Sequence, residues 1–422
     1  MKGYIYSASA RLISMTSQFL LIAAIGNFGN IELVGFWGPF ASFILISSIC
    51  LNYGQSAASY IKIPPLVKAK QIDEAHLTTR NILLKNMRYG LMLTPLIAIG
   101  AYVTFSSIEL SLWITLTAFL FSFGETSAAL FRSFNRIAIS ELVKNGIWRI
   151  LVLSALTLFF IIGLTLDQSV ITRILVGAAI LQAFVLYLYY SSRLKSLSKT
   201  PYVKTNIDTE IDRRNWMIQS FQSLTQNLDV ILVAVIFTPV ETAIYFLATR
   251  LTSIISLPLS VTNPVITPIF SLIAKNGQSP DLVNRVRRNT LLNVASAMIL
   301  FSFLFFNADT IASFLAGKTV SIQSMFLILA IGQAINVSVG PTMQVAQLFN
   351  FRRHTMVLQF VSLAIILISA LVAYRTQSVI AFAVGVTVGR VVLNLGIVTL
   401  LAVVEKTNIF TGRKRDTSLS AL

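Results

Sequence analysis

The sequence predicts an all-α, polytopic membrane protein with about twelve transmembrane helices, arranged as two six-helix bundles around a central cavity. Three observations lead to this prediction. Of the 422 residues, 55% are hydrophobic and only 12% are charged, whereas soluble domains carry about 25% charged residues. The hydrophobic residues form twelve runs, each near or above the roughly 20 residues that a membrane-spanning helix needs. Basic residues collect in alternate loops between these runs.

The twelve apolar runs are bounded by charged or turn residues and fall into two groups of six. The first group comprises residues 10–29, 33–56, 88–105, 110–131, 147–166 and 170–190, and the second comprises 216–238, 241–273, 290–306, 321–348, 356–374 and 379–404. A polar, charged segment separates the groups. The boundaries predict an N-terminal six-helix bundle at 1–191, a cytoplasmic linker at 192–215, a C-terminal six-helix bundle at 216–404 and a cytoplasmic tail at 405–422.

The distribution of Lys and Arg predicts that both termini lie in the cytoplasm. Of the 33 basic residues, 28 lie at the termini or in alternate loops, whereas the opposite loops contain only Arg173, Lys318 and Arg375. Basic residues accumulate on the cytoplasmic side of membrane proteins. The net charge of +17 therefore reflects topology. We expect no nucleic-acid partner, because the cations are dispersed over short loops.

An internal repeat relates the two groups of spans. At an offset of 209 residues, Phe28–Glu32 aligns with Phe237–Glu241, and Ser14–Thr16 aligns with Ser223–Thr225. Both matches fall in the first hairpin of their group. Because six is an even number of spans, the two bundles should insert with the same orientation and face each other across a cavity.

Polar side chains recur at helical spacing inside four of the spans. They are Arg11, Ser14 and Gln18 in the first span, Gln219, Gln222, Gln226 and Asp229 in the seventh, Gln333, Asn336, Gln344 and Gln347 in the tenth, and Thr387, Arg390 and Asn394 in the twelfth. Polar groups are costly in lipid, so these faces meet either a wet cavity or another helix. Interhelical hydrogen bonds contribute only about 0.6 kcal/mol each on average. Four such faces together favour a cavity whose walls contact a ligand.

Two charged residues flank the turn at Pro239 at similar distances. Asp229 precedes the turn and Arg250 follows it, which places both near the middle of the membrane. An ion pair between them would serve either a binding site or the packing of the two helices. Arg390 also lies near mid-membrane, and a bound anion is a candidate partner because guanidinium matches phosphate oxygens.

Three further charged residues lie within spans or at their inner ends. Glu125, in the fourth span, either pairs with Arg149 or Arg136 or carries a coupling proton, and Asp229 is a second candidate for coupling. Arg11 and Arg149 lie near inner helix ends, so they either reach out to water or face the cavity.

The eighth span is unusually long and contains three prolines, Pro258, Pro264 and Pro268. Proline removes a backbone donor and clashes with the preceding turn, so the span must kink or break. These prolines predict either a hinge or gate beside the cavity or a static kink.

Several kinds of site are excluded by the residues that are missing. The two histidines, His76 and His354, fall in predicted loops, and the single cysteine, Cys50, has no partner, so we expect no metal and no cofactor. The sequence contains no phosphate-binding G-x-x-x-x-G-K-[ST] loop, which excludes ATP hydrolysis through that motif. The short outer loops argue against an enzyme such as a membrane glycan polymerase.

The second-half hairpin resembles a known family. Its residues Leu228–Glu241 and Tyr245–Leu251, together with Gly332–Asn336 and Gly340–Pro341, are similar to polysaccharide transporters of the multidrug/oligosaccharidyl-lipid/polysaccharide exporter superfamily. The Wzx-type O-antigen flippases are the most similar group. Many drug-exporting relatives carry an acid in the first span, which this sequence lacks.

The resemblance implies a flippase that moves an undecaprenyl-diphosphate-linked oligosaccharide from the cytoplasmic to the periplasmic leaflet of a bacterial inner membrane. Arg250, Arg390, Arg11 and Arg149 would then supply donors to the diphosphate, and the Gln and Asn faces would contact the sugars. Membrane lipid, a glycan polymerase and a chain-length regulator would be its partners. The alternative is a cation-coupled drug or metabolite exporter of the same fold.

Overall fold

The computed structural model describes residues 2–194, 209–263, 280–343, 346 and 351–404. Within these ranges the chain forms helices and connecting turns and contains no strand. The predicted fold class, an all-α polytopic membrane protein, is confirmed.

The helices are numbered here in chain order. They are α1 Lys2–Phe28, α2 Ile31–Asn52, α3 Gln55–Lys68, α4 Ile72–Phe105, α5 Ile108–Ser133, α6 Ile137–Glu141, α7 Ile147–Ile162, α8 Gln168–Leu194, α9 Thr209–Ile236, α10 Pro239–Ile255, α11 Leu257–Asn263, α12 Pro280–Ala316, α13 Gln323–Val339, α14 Arg352–Thr376 and α15 Val379–Val404. A short π-helical turn at Leu142–Gly146 joins α6 to α7.

The membrane-spanning segments agree with the hydropathy pattern. In the described parts of the chain, eight helices are long and apolar enough to cross a membrane, and the bent pair α10–α11 is a ninth candidate. Helices α7 and α13 are apolar but shorter, and the more polar α9 coincides with the predicted seventh span. The inner-membrane location and the cytoplasmic placement of both termini stay predictions.

Several predicted spans differ in extent from the helices of the structure, and two illustrate the reasons. The second span was expected to reach residue 56, but α2 ends at Asn52 because Tyr53 (φ 49°) and Gly54 (φ 74°) adopt the left-handed conformation. The third was expected to begin at residue 88, but its helix begins at Ile72. Acidic residues in its first turn favour that earlier start, since they complement the positive end of the helix dipole.

The eighth span is broken, as its prolines predict. Helix α10 ends at Ile255 and α11 begins at Leu257, with a bend of 53° between them. Pro258 lies in the first turn of α11, where proline is tolerated but cannot continue the hydrogen bonding of the preceding helix. Pro264 and Pro268 lie outside the described residues, so a gate or hinge role for the three prolines stays a prediction.

The chain forms two compact units. The first comprises Ser9–Ala243 and Phe314–Lys318, and the second comprises Met1–Ala8, Ile244–Ser313 and Thr319–Leu422. Helix α9 packs along α2 and α3 and so belongs to the first unit, although it follows the predicted linker. In the second unit, α15 packs against both α13 and α14.

The two hairpins of the internal repeat have matching boundaries. Helix α1 ends at Phe28 and α9 at Ile236, while α2 begins at Ile31 and α10 at Pro239, so both pairs of boundaries are 208 residues apart. A side chain caps the second helix of each hairpin. Oδ1 of the Asn30 side chain accepts the N–H of residue 33 at 2.8 Å. In the second hairpin, Glu241 accepts the backbone N–H of residue 238 at 3.0 Å, which is half of a capping box.

Candidate functional site

A cavity of about 230 Å³ lies inside the first unit. Its walls come from α2, α3, α5, α6, the π-helical turn and α9. The lining residues are Ile49, Asn52, Ser56, Tyr60, Glu125, Ala128, Ala129, Arg132, Ser140, Lys144, Gln219, Gln222, Ser223 and Gln226. Eleven of these fourteen residues carry an amide, hydroxyl or charged group.

Helix α9 supplies the amide side of the cavity. Gln219, Gln222 and Gln226 lie in its wall, as expected for residues spaced on one helical face. Asp229, the fourth member of the predicted face, is 1% exposed and does not line the cavity. The break between α2 and α3 places a further amide, Asn52, in the same wall.

Glu125 forms an ion pair within the cavity. Its Oε2 lies 2.9 Å from the Nζ atom of Lys144, which the π-helical turn carries. The neighbouring carboxylate raises the pKa of Lys144 above its usual value, which keeps the ammonium group charged at neutral pH. The turn that carries the lysine lies outside the apolar spans, between α6 and α7.

The predicted pairing of Glu125 with Arg149 or Arg136 is wrong, because Lys144 is its partner. Arg149 instead donates from Nη1 to the backbone oxygen and to Oγ of Ser14, at 2.7 and 2.9 Å. Arg136 donates to the hydroxyl of Tyr189 at 3.3 Å. Spacing in the sequence could not identify Lys144 as the partner instead of Arg136 or Arg149. The π-helical turn rotates residues 142–146 away from the positions that a regular α-helix would give them.

A second ion pair lies beside the first. Arg132, which lines the cavity, pairs with Glu141, which is buried at the end of α6. The wall also holds two buried hydroxyls, Ser140 Oγ and Ser223 Oγ, for which the described residues offer no hydrogen-bond partner. Sequence analysis missed Arg132 and Lys144 because both fall in a loop by hydropathy. Their position directly beside apolar spans is the signal that could have indicated them.

The remaining predicted site residues lie elsewhere. Arg11, in α1, belongs to the first unit, as do Arg149 and Asp229, but none of these three lines the cavity. In the second unit, Gln333 and Asn336 have their side-chain amides 3.5 Å apart on α13. A role for these residues in one shared site stays a prediction.

The cations of the second unit lie on two helices. Arg250 stacks over the ring of Phe246 on α10, with its guanidinium carbon 4.9 Å from the ring centre. Arg390 and Asn394 are half-buried on α15. Gln344 and Gln347, of the predicted tenth-span face, fall outside the described residues. The substrate contacts expected of the second unit therefore stay predictions.

Comparison with known proteins identifies the fold. No protein-family model and no curated protein matches the sequence. Among solved structures, an inward-facing multidrug resistance MATE family transporter of the MOP superfamily aligns with a TM-score of 0.64 at 14% identity, covering 93% of this chain and 96% of that one. A MOP superfamily transporter from Pyrococcus furiosus aligns at 0.65 and 16% identity, covering 94% of each chain.

A further solved structure extends the likeness over nearly the whole chain. A mutant of the Vibrio cholerae MATE transporter VcmN aligns with a TM-score of 0.63 at 14% identity, covering 97% of both chains. These neighbours are transporters rather than enzymes. At such low identity the likeness defines the fold and leaves the transported solute open. The chain therefore has the fold of the MATE transporters of the MOP superfamily.

Proposed function

We propose that this chain is a flippase that moves an undecaprenyl-diphosphate-linked oligosaccharide from the cytoplasmic to the periplasmic leaflet by alternating access. The observation that carries the proposal is the chemistry of the cavity in the first unit. Only three of its lining residues, Ile49, Ala128 and Ala129, are wholly apolar. Pockets for drug-like molecules are lined mainly by hydrophobic and aromatic side chains, so this wall fits a hydrophilic solute better.

The amide groups of the cavity suit a glycan. Each sugar hydroxyl both donates and accepts a hydrogen bond, and a glutamine or asparagine side chain offers both functions. Gln219, Gln222, Gln226 and Asn52 present four such groups to one space. The hydroxyls of Ser140 and Ser223 add capacity, since neither has a hydrogen-bond partner among the described residues. A polyhydroxylated ligand or water would satisfy them.

The cations of the cavity suit the diphosphate. Arg132 and Lys144 line the same wall, and each is paired with a carboxylate. A phosphate oxygen is a stronger acceptor partner for guanidinium and ammonium than water, so it can compete for these donors. An anion that takes Lys144 from Glu125 would leave that carboxylate for the coupling role, which is one of the two roles considered for it. A role for Arg250, Arg390 and Asp229 in binding the solute stays a prediction.

A cation-coupled drug exporter is the second candidate, because several structural neighbours are multidrug resistance transporters. Purified protein in liposomes distinguishes the two. The flippase should expose a fluorescent lipid-linked oligosaccharide to a membrane-impermeant glycosidase on the opposite side, with no effect of drugs. Efflux of a fluorescent cationic drug without glycan exposure would support the exporter and contradict our proposal.

The same distinction applies in cells. Loss of this chain should remove surface glycan and leave lipid-linked oligosaccharide in the cytoplasmic leaflet, with drug tolerance unchanged. A glycan polymerase and a chain-length regulator would act on the flipped product. Normal surface glycan after loss of the chain, without a second flippase in the strain, would contradict the proposal.

A further inference from the structure

The π-helical turn at Leu142–Gly146 brings Lys144 to the cavity. The backbone N–H of Ile147 bonds to the carbonyl of Leu142, five residues back, which widens the helix by one residue. Such turns are rare and are frequent at functional sites. Here the carbonyl of Lys144 accepts the indole N–H of Trp148 at 3.3 Å. Side chains therefore take part in holding this turn.

Gln182, on α8, contacts the turn from the other side. Its Nε2 donates to the carbonyl of Val143 at 2.9 Å, and the residue is only 4% exposed. A buried hydrogen bond of this kind is costly to lose because the carbonyl would have no replacement from water. Gln182 thus fixes the backbone directly before Lys144.

The same amide also lies against α5. A Cβ atom added at Gly124 would come within 2.7 Å of the Nε2 atom of Gln182. Gly124 directly precedes Glu125, so one amide group contacts the neighbour of each member of the Glu125–Lys144 pair. The absence of a side chain at Gly124 gives the amide room to reach Val143.

We propose that Gln182 is a positioning residue, which holds the π-helical turn so that the Lys144 ammonium reaches the cavity beside Glu125. The inference rests on the proposed function for its consequence in transport, since it assumes that this cavity binds the solute. It assigns no solute contact to Gln182 itself. The structural part, the placement of Lys144 by Gln182, can be tested without transport.

The first experiment measures the position of the turn by thiol accessibility. In a Cys50→Ala background, Lys144→Cys is modified with a water-soluble methanethiosulfonate reagent, with and without Gln182→Met. Gln182→Met removes the buried hydrogen bond to Val143 and should change the rate of thiol modification at position 144 by up to about tenfold. Gln222→Cys, on α9 in the same cavity, is the control and should keep its rate. An unchanged rate at position 144 overturns the proposal, and so does an equal change at both positions, which would indicate general loosening.

A second variant avoids removing the amide. Gly124→Ala displaces Gln182 by steric contact and should change the rate at position 144 in the same direction as Gln182→Met. Gly177→Ala, on α8, is the matched control because a Cβ atom there meets nothing within 4 Å. An effect of Gly177→Ala equal to that of Gly124→Ala would contradict the positioning role.

Transport then separates the two proposals. If Gln182 acts through Lys144, Gln182→Met should raise the apparent KM for the lipid-linked glycan by up to about tenfold and have no further effect in a Lys144→Met background. Additive losses would overturn the positioning role. A changed thiol rate with unchanged transport would support the placement of Lys144 and contradict the use of this cavity for the solute.

Discussion

Lys144 Nζ lies 2.9 Å from Glu125 Oε2, so a lysine from a turn between two helices neutralises an acid inside an apolar span. The side chains are 38% exposed for the lysine and 15% for the glutamate, and both residues line the cavity. The arrangement presents an exchangeable cation to a polar space. The stability of the protein should therefore depend on keeping both partners of the pair.

Removing the lysine alone should destabilise the protein more than removing both charges. Lys144→Met leaves the Glu125 carboxylate without its cation, which in a fully buried site costs about 3–5 kcal/mol. Because the lysine is partly exposed, we expect about 1–2 kcal/mol, measured as thermal unfolding in detergent. Glu125→Gln with Lys144→Met should recover most of the loss. A double variant no more stable than Lys144→Met would contradict this.

The glutamines of the α9 face should affect transport and leave stability unchanged. Gln222→Leu and Gln226→Leu each remove a hydrogen-bonding group worth about 0.5–1.5 kcal/mol, so the apparent KM for the glycan should rise by about 2- to 10-fold. Gln71→Leu, at an exposed position outside the cavity, is the matched control. Equal effects of all three variants would remove these glutamines from the site.

The arginines of the second unit should be needed for export. Arg250→Ala and Arg390→Ala, at normal membrane levels, should abolish glycan exposure, whereas Arg250→Lys should retain part of it because the charge remains. Glycan exposure in liposomes measures each variant. Full activity of both alanine variants would show that neither arginine serves the solute.

The start of α10 depends on a glycine in α2. A Cβ atom at Gly35 would lie 1.9 Å from the carbonyl oxygen of Pro239, and a rigid backbone group cannot move away cheaply. Gly35→Ala should lower the free energy of unfolding by about 1–3 kcal/mol, seen as a lower melting temperature. A Cβ atom at Gly100 would lie 3.5 Å from a ring atom of Phe43, an ordinary contact distance. Gly100→Ala should therefore change the free energy of unfolding little. Equal melting temperatures of the two variants would contradict the close approach.

Asp167 should make the start of α8 sensitive to acid. Its Oδ1 accepts the backbone N–H of Val170 at 2.8 Å, and this bond, with that from Ser169, lowers the pKa of the carboxyl. A lowered pKa contributes stability above the unfolded value of about 3.9 and loses it as the pH falls through the folded value. The melting temperature should therefore fall more steeply below about pH 4 than in Asp167→Asn. Identical pH profiles would show that this cap contributes nothing.

The sequence by itself determined the helices and their faces only where local pattern decides them. Hydropathy located the spans, because a helix that crosses lipid must be apolar along consecutive residues. The seventh span, which coincides with the more polar α9, is the one that this reason explains least well. Helical spacing likewise put Gln219, Gln222 and Gln226 on one face. The prolines of the eighth span predicted a kink or break for the same local reason, and the structure places it between Ile255 and Leu257.

Tertiary structure alone decided which side chains meet. The sequence offered Arg149 and Arg136 to Glu125, yet the π-helical turn delivers Lys144, and Arg149 turns to Ser14. The packing of α9 along α2 and α3 then closes the cavity around these groups. Hydropathy sums over neighbours in the chain, whereas pairing depends on the rotation of one helix against another and on a one-residue change in a turn. No local pattern in the sequence records that rotation.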